Sequence, residues 1–259
     1  MKTLAEFIQS TPFFIIAHRG ASGDAPENTM AAIRMAIEGG AQMIEIDVQT
    51  TSDDELVVFH DQVLGRTTSG HGYIRDVSFK ELQKLDAGKW FHESFAGEVV
   101  PRLESVLDMA IGQCYVNVEL KPLKDHKNAE QLIQRIINII QERGLVPFAV
   151  LSSFDHQALH LSKEIDPMIP TAALNVPGDK RLPSEIVAAC RANAFGCSVH
   201  ELTRRRSDDL AAHKIPWGVY SVDDVNTLRI ALDHGVTSVV TKHPKLIHDA
   251  YLAIQQQWT

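Results

Sequence analysis

Two carboxylates stand two residues apart inside an apolar run, Met43-Ile44-Glu45-Ile46-Asp47-Val48. In an extended strand alternate residues face one side, so Glu45 and Asp47 point together. Buried without a counter-charge they would repel one another and carry a large desolvation penalty. A divalent cation relieves both. A third carboxylate, Glu119, has a similar place in Val116-Asn117-Val118-Glu119-Leu120-Lys121, with Lys121 on its own face. Three such groups meeting at one point form an oxygen-rich set that suits Mg2+ or Ca2+ better than zinc. The competing arrangement is a set of internal ion pairs with Lys121 or Arg19. His18 ends the apolar run that begins at Phe13, and His60 ends the run that begins at Leu56. Histidine alone titrates near neutrality without a large perturbation, so two of them beside the carboxylates read as an acid–base pair. Arg19 and Lys121 can neutralise phosphate oxygens, one as a planar fork and the other as a point charge.

These residues must be positioned by elements, and the chain supplies them in a regular order. Short apolar runs at 13–17, 43–49, 115–120, 149–153, 171–174, 195–199, 217–222 and 238–241 alternate with longer segments of helical periodicity. Repeated strand–helix units imply a parallel sheet, and about eight of them favour a closed (β/α)8 TIM barrel over an open one. In such a barrel, chemistry gathers at the C-terminal ends of the strands, where His18, Glu119 and Lys121 fall. Leu56–His60 is a ninth strand candidate. It follows Val48 too closely for a parallel crossover and must turn back as a hairpin. A turn near Asp53–Asp54 sets His60 roughly opposite Asp47.

Residues 61–110 break the repeat. They read as a small inserted cap subdomain after the second strand and its hairpin, inside a single domain spanning 1–259. Ser78 and Glu81 have the spacing of a capping box. The stretch Trp90–Phe95 is expected to form the insertion's own core. Later helices are expected to be capped by Asp155 and Ser207 and to stop at Gly144 and Gly235.

Composition narrows the partners. The chain has 259 residues and a net charge of −8, which disfavours a general nucleic-acid binder. Cys114, Cys190 and Cys197 are an odd, scattered set and read as reduced, buried thiols. The N-terminal segment lacks the sustained apolar core of an export signal, so the cytoplasm is the expected compartment. The run 13–17 is too short to span a bilayer, so no stable membrane insertion is expected. A homodimer is compatible with the sequence, but nothing in it specifies one.

Taken together, His18-Arg19-Gly20, Pro26-Glu27-Asn28-Thr29, Ile44–Gln49 and Val57–Asp61 resemble the signature of the glycerophosphodiester phosphodiesterase family. The resemblance continues through 65–76, 85–91, 101–107, 118–121 and 151–154 and covers nearly the whole chain. It implies a barrel with an insertion after the His60–Asp61 motif. It also implies one divalent cation held by Glu45, Asp47 and Glu119, acid–base roles for His18 and His60, and phosphate contacts from Arg19 and Lys121. The implied reaction is metal-dependent hydrolysis of a small-molecule glycerophosphodiester to glycerol 3-phosphate and an alcohol. Glu27 belongs to the signature and is expected to orient Arg19 or to close its loop. Tyr220–Ser221 stands where members commonly carry Trp–Thr. Pro101-Arg102-Leu103 and Thr241-Lys242-His243-Pro244 are further departures. Tyr220 keeps an aromatic wall for the substrate pocket. Two rival readings are a binding protein without turnover and a barrel phospholipase acting on membrane lipid. The intact His and carboxylate set disfavours the first, and the acidic balance disfavours the second.

Overall fold

The computed structural model describes residues 1–122 and 128–257. Eight parallel strands close into a barrel: β1 (Phe14–His18), β2 (Met43–Thr50), β4 (Tyr115–Glu119), β5 (Ala149–Ser153), β6 (Thr171–Leu174), β7 (Ala194–Ser198), β8 (Trp217–Tyr220) and β9 (Ser238–Thr241). Each pairs with the next, and β9 and β2 both pair with β1, which completes the ring. The remaining strand, β3 (Leu56–Val58), runs antiparallel along the end of β2. The helices are α1 (Leu4–Ser10), α2 (Met30–Glu38), α3 (Phe79–Leu82), α4 (Leu103–Ala110), α5 (Ala129–Glu142), α6 (His156–Ile165), α7 (Pro183–Cys190), α8 (Arg204–Ala212), α9 (Val225–Asp233) and α10 (Pro244–Gln257). None of the described helices is long and apolar enough to cross a membrane.

The strands bury both faces, as the unbroken apolar runs require. Ile44, Ile46 and Val48 of β2 pack outward against helix residues such as Ile33 of α2 and Leu107 of α4. Their neighbours face inward. Met43 joins Phe14, Ile16, Tyr115 and Val150 in an apolar layer at the N-terminal ends of the strands. This layer is the barrel floor. Leu4, Phe7 and Ile8 of α1 close it from below, and the Tyr115 hydroxyl donates to the Lys2 carbonyl at 2.8 Å. Helix α1 is capped by Thr3 and Glu6 in a reciprocal box.

The expected elements appear with small shifts. Asp155 caps α6 through the Gln157 N–H, and Ser78 and Glu81 form the capping box of α3. Thr203, and not Ser207, caps α8. Ser207 lies inside that helix, and its hydroxyl bonds back to the Thr203 carbonyl at 3.1 Å. In the β2–β3 hairpin, Thr51 N–H meets the Glu55 carbonyl, which centres the turn on Asp53. Val48 therefore pairs with Val58, and Phe59 donates to the Asp47 carbonyl. His60 lies one residue farther along than the sequence pattern places it.

The insertion has its own small core of Phe59, Leu64, Ile74, Leu82, Ala87 and Val100 over Val57 of β3. The sequence pattern extends it to residue 110, but the chain rejoins the barrel earlier. Val58 donates to the Pro101 carbonyl, and Leu103, Val106, Leu107 and Ala110 of α4 pack in the outer barrel core. Trp90–Phe95 is not core: Trp90 is 41% exposed, and its ring meets Phe91 edge-on at the surface. Cys114, Cys190 and Cys197 are free and buried, and burial pushes the thiols of Cys114 and Cys197 up to about 12.

Candidate active site at the C-terminal mouth

The mouth is built from loops whose conformations the sequence prescribes. After β1 the chain turns through Arg19 (φ 56°) and Gly20 (φ 77°). A Cβ on Gly20 would stand 2.6 Å from the Ala32 carbonyl carbon, so this approach of loop to helix α2 needs glycine. The loop then folds back, with Asn28 N–H on the Arg19 carbonyl at 3.0 Å, and Thr29 caps α2. Glu27 and Asn28 are thereby laid beside the end of β2.

Strand β2 carries Glu45 and Asp47 inward, above Met43 on the same face. Strand register sets His18 beside Glu45 and Asp47 beside Glu119. One oxygen from each of Glu45, Asp47 and Glu119 lies within 4.8 Å of the others. The ion pairs that compete for them are also present. Lys121 Nζ contacts Asp47 Oδ1 and sits 2.8 Å from Glu119 Oε1. Arg19 Nε is 3.2 Å from Asp47 Oδ2, off the hydrogen-bonding direction. Asn28 Nδ2 donates to the same oxygen at 2.9 Å. Burial works to raise the Asp47 pKa, but Lys121 and Arg19 outweigh it and hold the carboxylate below its ordinary range.

Glu45 is treated differently. Its Oε2 accepts the Arg19 backbone N–H at 2.9 Å, while its buried Oε1 has no partner. Burial, then the charges of Asp47 and Glu119, push its pKa well above the ordinary carboxylate range. Two cations therefore answer Asp47 and Glu119 but leave Glu45 unanswered. A hard divalent ion among these oxygens fits what the ion pairs leave over.

His18 is largely buried, and its Nδ1 has no partner. Burial, reinforced by the charge of Arg19, lowers its pKa to about 4, so the imidazole is neutral at pH 7. His60 lies beyond β3 with Nδ1 2.6 Å from Asp61 Oδ1. A cavity of ≈ 470 Å³ opens between His60, Asp61 and Arg66 of the insertion and Lys121 of the barrel. Tyr220 ends β8 on the opposite side, with its ring edge-on to Phe154 at 6.1 Å. Burial raises its phenol pKa, and the charges of Glu201 and Glu119 add to the effect.

The structure brings Glu45, Asp47, Glu119, Lys121 and Arg19 into one cluster, with His18 on the neighbouring strand. His60 joins from the insertion side and Tyr220 from across the mouth. Three participants escape a reading by residue type. Asn28 steadies Asp47, Arg66 bridges Glu27 and Asp61, and the buried Asn117 Oδ1 stands unpartnered two residues before Glu119. Asn28 lies within the quoted 26–29 motif, so its place there was a usable signal. Arg66 lies within the 65–76 stretch of the resemblance, but its pairing with Glu27, 39 residues away, has no local signal.

Comparison with known proteins identifies the family and supports the barrel fold. Residues 18–246 match the model of the glycerophosphoryl diester phosphodiesterase family. A glycerophosphodiester phosphodiesterase of Caldanaerobacter subterraneus is 34% identical over 242 residues, covering 90% of this chain and 95% of that one. The crystal structure of a glycerophosphodiester phosphodiesterase from Agrobacterium tumefaciens superposes with a TM-score of 0.79 at 29% identity, over 91% of this chain and 98% of that one. An Oleispira antarctica phosphodiesterase, solved in complex with the product sn-glycerol-3-phosphate, superposes with a TM-score of 0.85 at 27% identity, over 92% and 96%.

Proposed function

The chain belongs to the glycerophosphoryl diester phosphodiesterase family and is a hydrolase of that class; from that premise we propose how its own residues hydrolyse a glycerophosphodiester to glycerol 3-phosphate and an alcohol. The observation that carries the reading is the unanswered Glu45 oxygen among three converging carboxylates. Glu45, Asp47 and Glu119 are the residues that would hold one divalent cation, Mg2+ or Ca2+. When bound, such an ion polarises a phosphoryl oxygen and stabilises the charge that develops there.

The remaining roles fall to side chains. Arg19 and Lys121 neutralise the phosphate, and their ion pairs with carboxylates hold their long chains toward the centre of the mouth. His18, kept neutral by burial, takes the proton of the attacking oxygen. His60, oriented through its Nδ1 by the Asp61 carboxylate, presents its other ring nitrogen to the departing alcohol and gives it a proton. Tyr220 and Phe154 form an apolar wall for the organic part of the substrate. The insertion supplies His60's surroundings, so barrel and insertion act as one catalytic unit.

The test is release of glycerol 3-phosphate from glycerophosphoethanolamine and glycerophosphocholine by metal-stripped protein, with Mg2+, Ca2+ or no metal returned. Metal-restored release is the expected result. Release that persists unchanged without metal removes the role given to the three carboxylates. No release under any metal from folded protein removes the substrate reading.

A further inference from the structure

Among the described charged groups around the mouth, Arg66 has no role in the reaction as described, yet it touches both sides of the site. We propose that Arg66 is a positioning residue: reaching out of the insertion, it locks Asp61 against His60 and Glu27 against Arg19, so that the acid–base imidazole and the phosphate-binding guanidinium are held in one register. The inference rests on the roles given to His60 and Arg19 above.

Arg66 grips two carboxylates at once. Nε donates to Asp61 Oδ2 at 2.6 Å, and Nη2 to Asp61 Oδ1 at 3.1 Å. Nη1 donates to Glu27 Oε2 at 2.9 Å, and Nη2 to Glu27 Oε1 at 2.6 Å. Only a planar guanidinium, with five N–H donors in a fixed fork, can make two such bidentate contacts together. Behind each carboxylate stands a working group. Asp61 Oδ1 is 2.6 Å from His60 Nδ1, and Glu27 Oε1 accepts from Arg19 Nη1 at 2.8 Å. Arg19 in turn faces Asp47. The result is an unbroken line from His60 through Asp61, Arg66, Glu27 and Arg19 to Asp47.

Its backbone is anchored for the purpose. Thr67 and Thr68 are buried, and the Thr68 hydroxyl accepts the Gly65 N–H at 3.3 Å. The side chain is 47% exposed, whereas Glu27 and Asp61 are 13% and 24% exposed. A half-exposed ion pair adds little to stability, because water screens it and long side chains lose freedom in it. Orientation is the effect that remains. Asp61 accepting at Nδ1 fixes the imidazole tautomer and leaves Nε2 free for proton transfer. Without the fork, both Asp61 and Glu27 regain rotational freedom, and the two groups they steady lose alignment.

The experiment uses cation-loaded full-length protein with Arg66→Met and Arg66→Lys, read by steady-state kinetics, thermal melting and 15N NMR of the His60 ring. Both variants are expected to melt near the parent, while kcat falls about 10- to 100-fold, the scale of slight misplacement of reacting groups. KM is expected to rise as Arg19 loosens, and the His60 signals to shift from a single Nδ1–H tautomer to a mixture. Lysine keeps the charge but not the fork, so Arg66→Lys should remain impaired. Parent-like kcat and KM in either variant, or an unchanged His60 tautomer in Arg66→Met, would overturn the proposal. If the parent shows no turnover on any glycerophosphodiester, the reaction reading falls, and the NMR measurement still decides whether Arg66 orders His60.

Discussion

The two ends of the barrel interior are made by the same strands and obey opposite rules. At the floor, Phe14, Ile16, Met43, Tyr115 and Val150 interlock as an apolar layer sealed by α1. Two to four residues farther along β1, β2 and β4, His18, Glu45, Asp47 and Glu119 fill the mouth with polar groups, some without partners. The floor satisfies every demand of burial and contributes stability. The mouth leaves polar atoms of Glu45 and His18 buried without partners, a tension that marks a site rather than a core. Strand alternation places both sets inward, so the difference lies wholly in side-chain chemistry along a common scaffold.

That contrast can be broken at either end. The largest effect belongs to the mouth: His18→Ala or His60→Ala should each lower kcat by about 10²- to 10⁴-fold, with a melting temperature close to the parent. Near-normal turnover in either variant contradicts the acid–base assignment. At the floor, Phe14→Ala should cost about 3–5 kcal/mol in denaturant unfolding while kcat per folded molecule stays near the parent's. A comparable loss of kcat in the folded fraction would mean that the two ends are not separable.

A pH series sharpens the comparison. The folded-state pKa of His18 is depressed to about 4 from 6.5, so the unfolded chain binds the proton more readily. Its contribution to stability is therefore present above 6.5 and lost as pH falls toward 4. For a group so buried the loss reaches about 3 kcal/mol. His18→Asn should flatten this part of the stability–pH curve relative to the parent, and parallel curves would count against a neutral, buried His18. The smallest effect is again at the floor. Tyr115→Phe removes one hydrogen bond to Lys2 and should cost about 1 kcal/mol with kinetics unchanged. A kinetic defect there would show that α1 influences the mouth.

How much of this could be read in the chain varies with the range of the interaction. The strands at 149–153, 171–174 and 238–241 have the limits their apolar runs suggest, because burial on both faces leaves a local signature. The pairing of Glu45 with Asp47, and their place above Met43, follows from alternation alone. The α8 cap was misplaced because Thr203 and Ser207 are equally good N-cap types, and only the register of the helix on the barrel chooses between them. The end of the insertion is set by contacts distant in the chain, Val58 N–H on the Pro101 carbonyl and α4 against the outer barrel core, which no local pattern carries. Trp90 looks like a core residue by type, and its exposure depends on a small subdomain having room for only a few side chains inside.

The sequence by itself determined the barrel, the inward face of Glu45 and Asp47 and the candidate set at the strand ends, because period, spacing and residue type act over a few neighbours. The tertiary structure alone decided which charges answer one another. Lys121 and Arg19 neutralise Asp47 and Glu119 but not Glu45, and Arg66 reaches across 39 residues to Glu27. Ion pairs and hydrogen bonds are fixed by distances of about 3 Å between groups far apart in the chain, and no linear pattern encodes such distances.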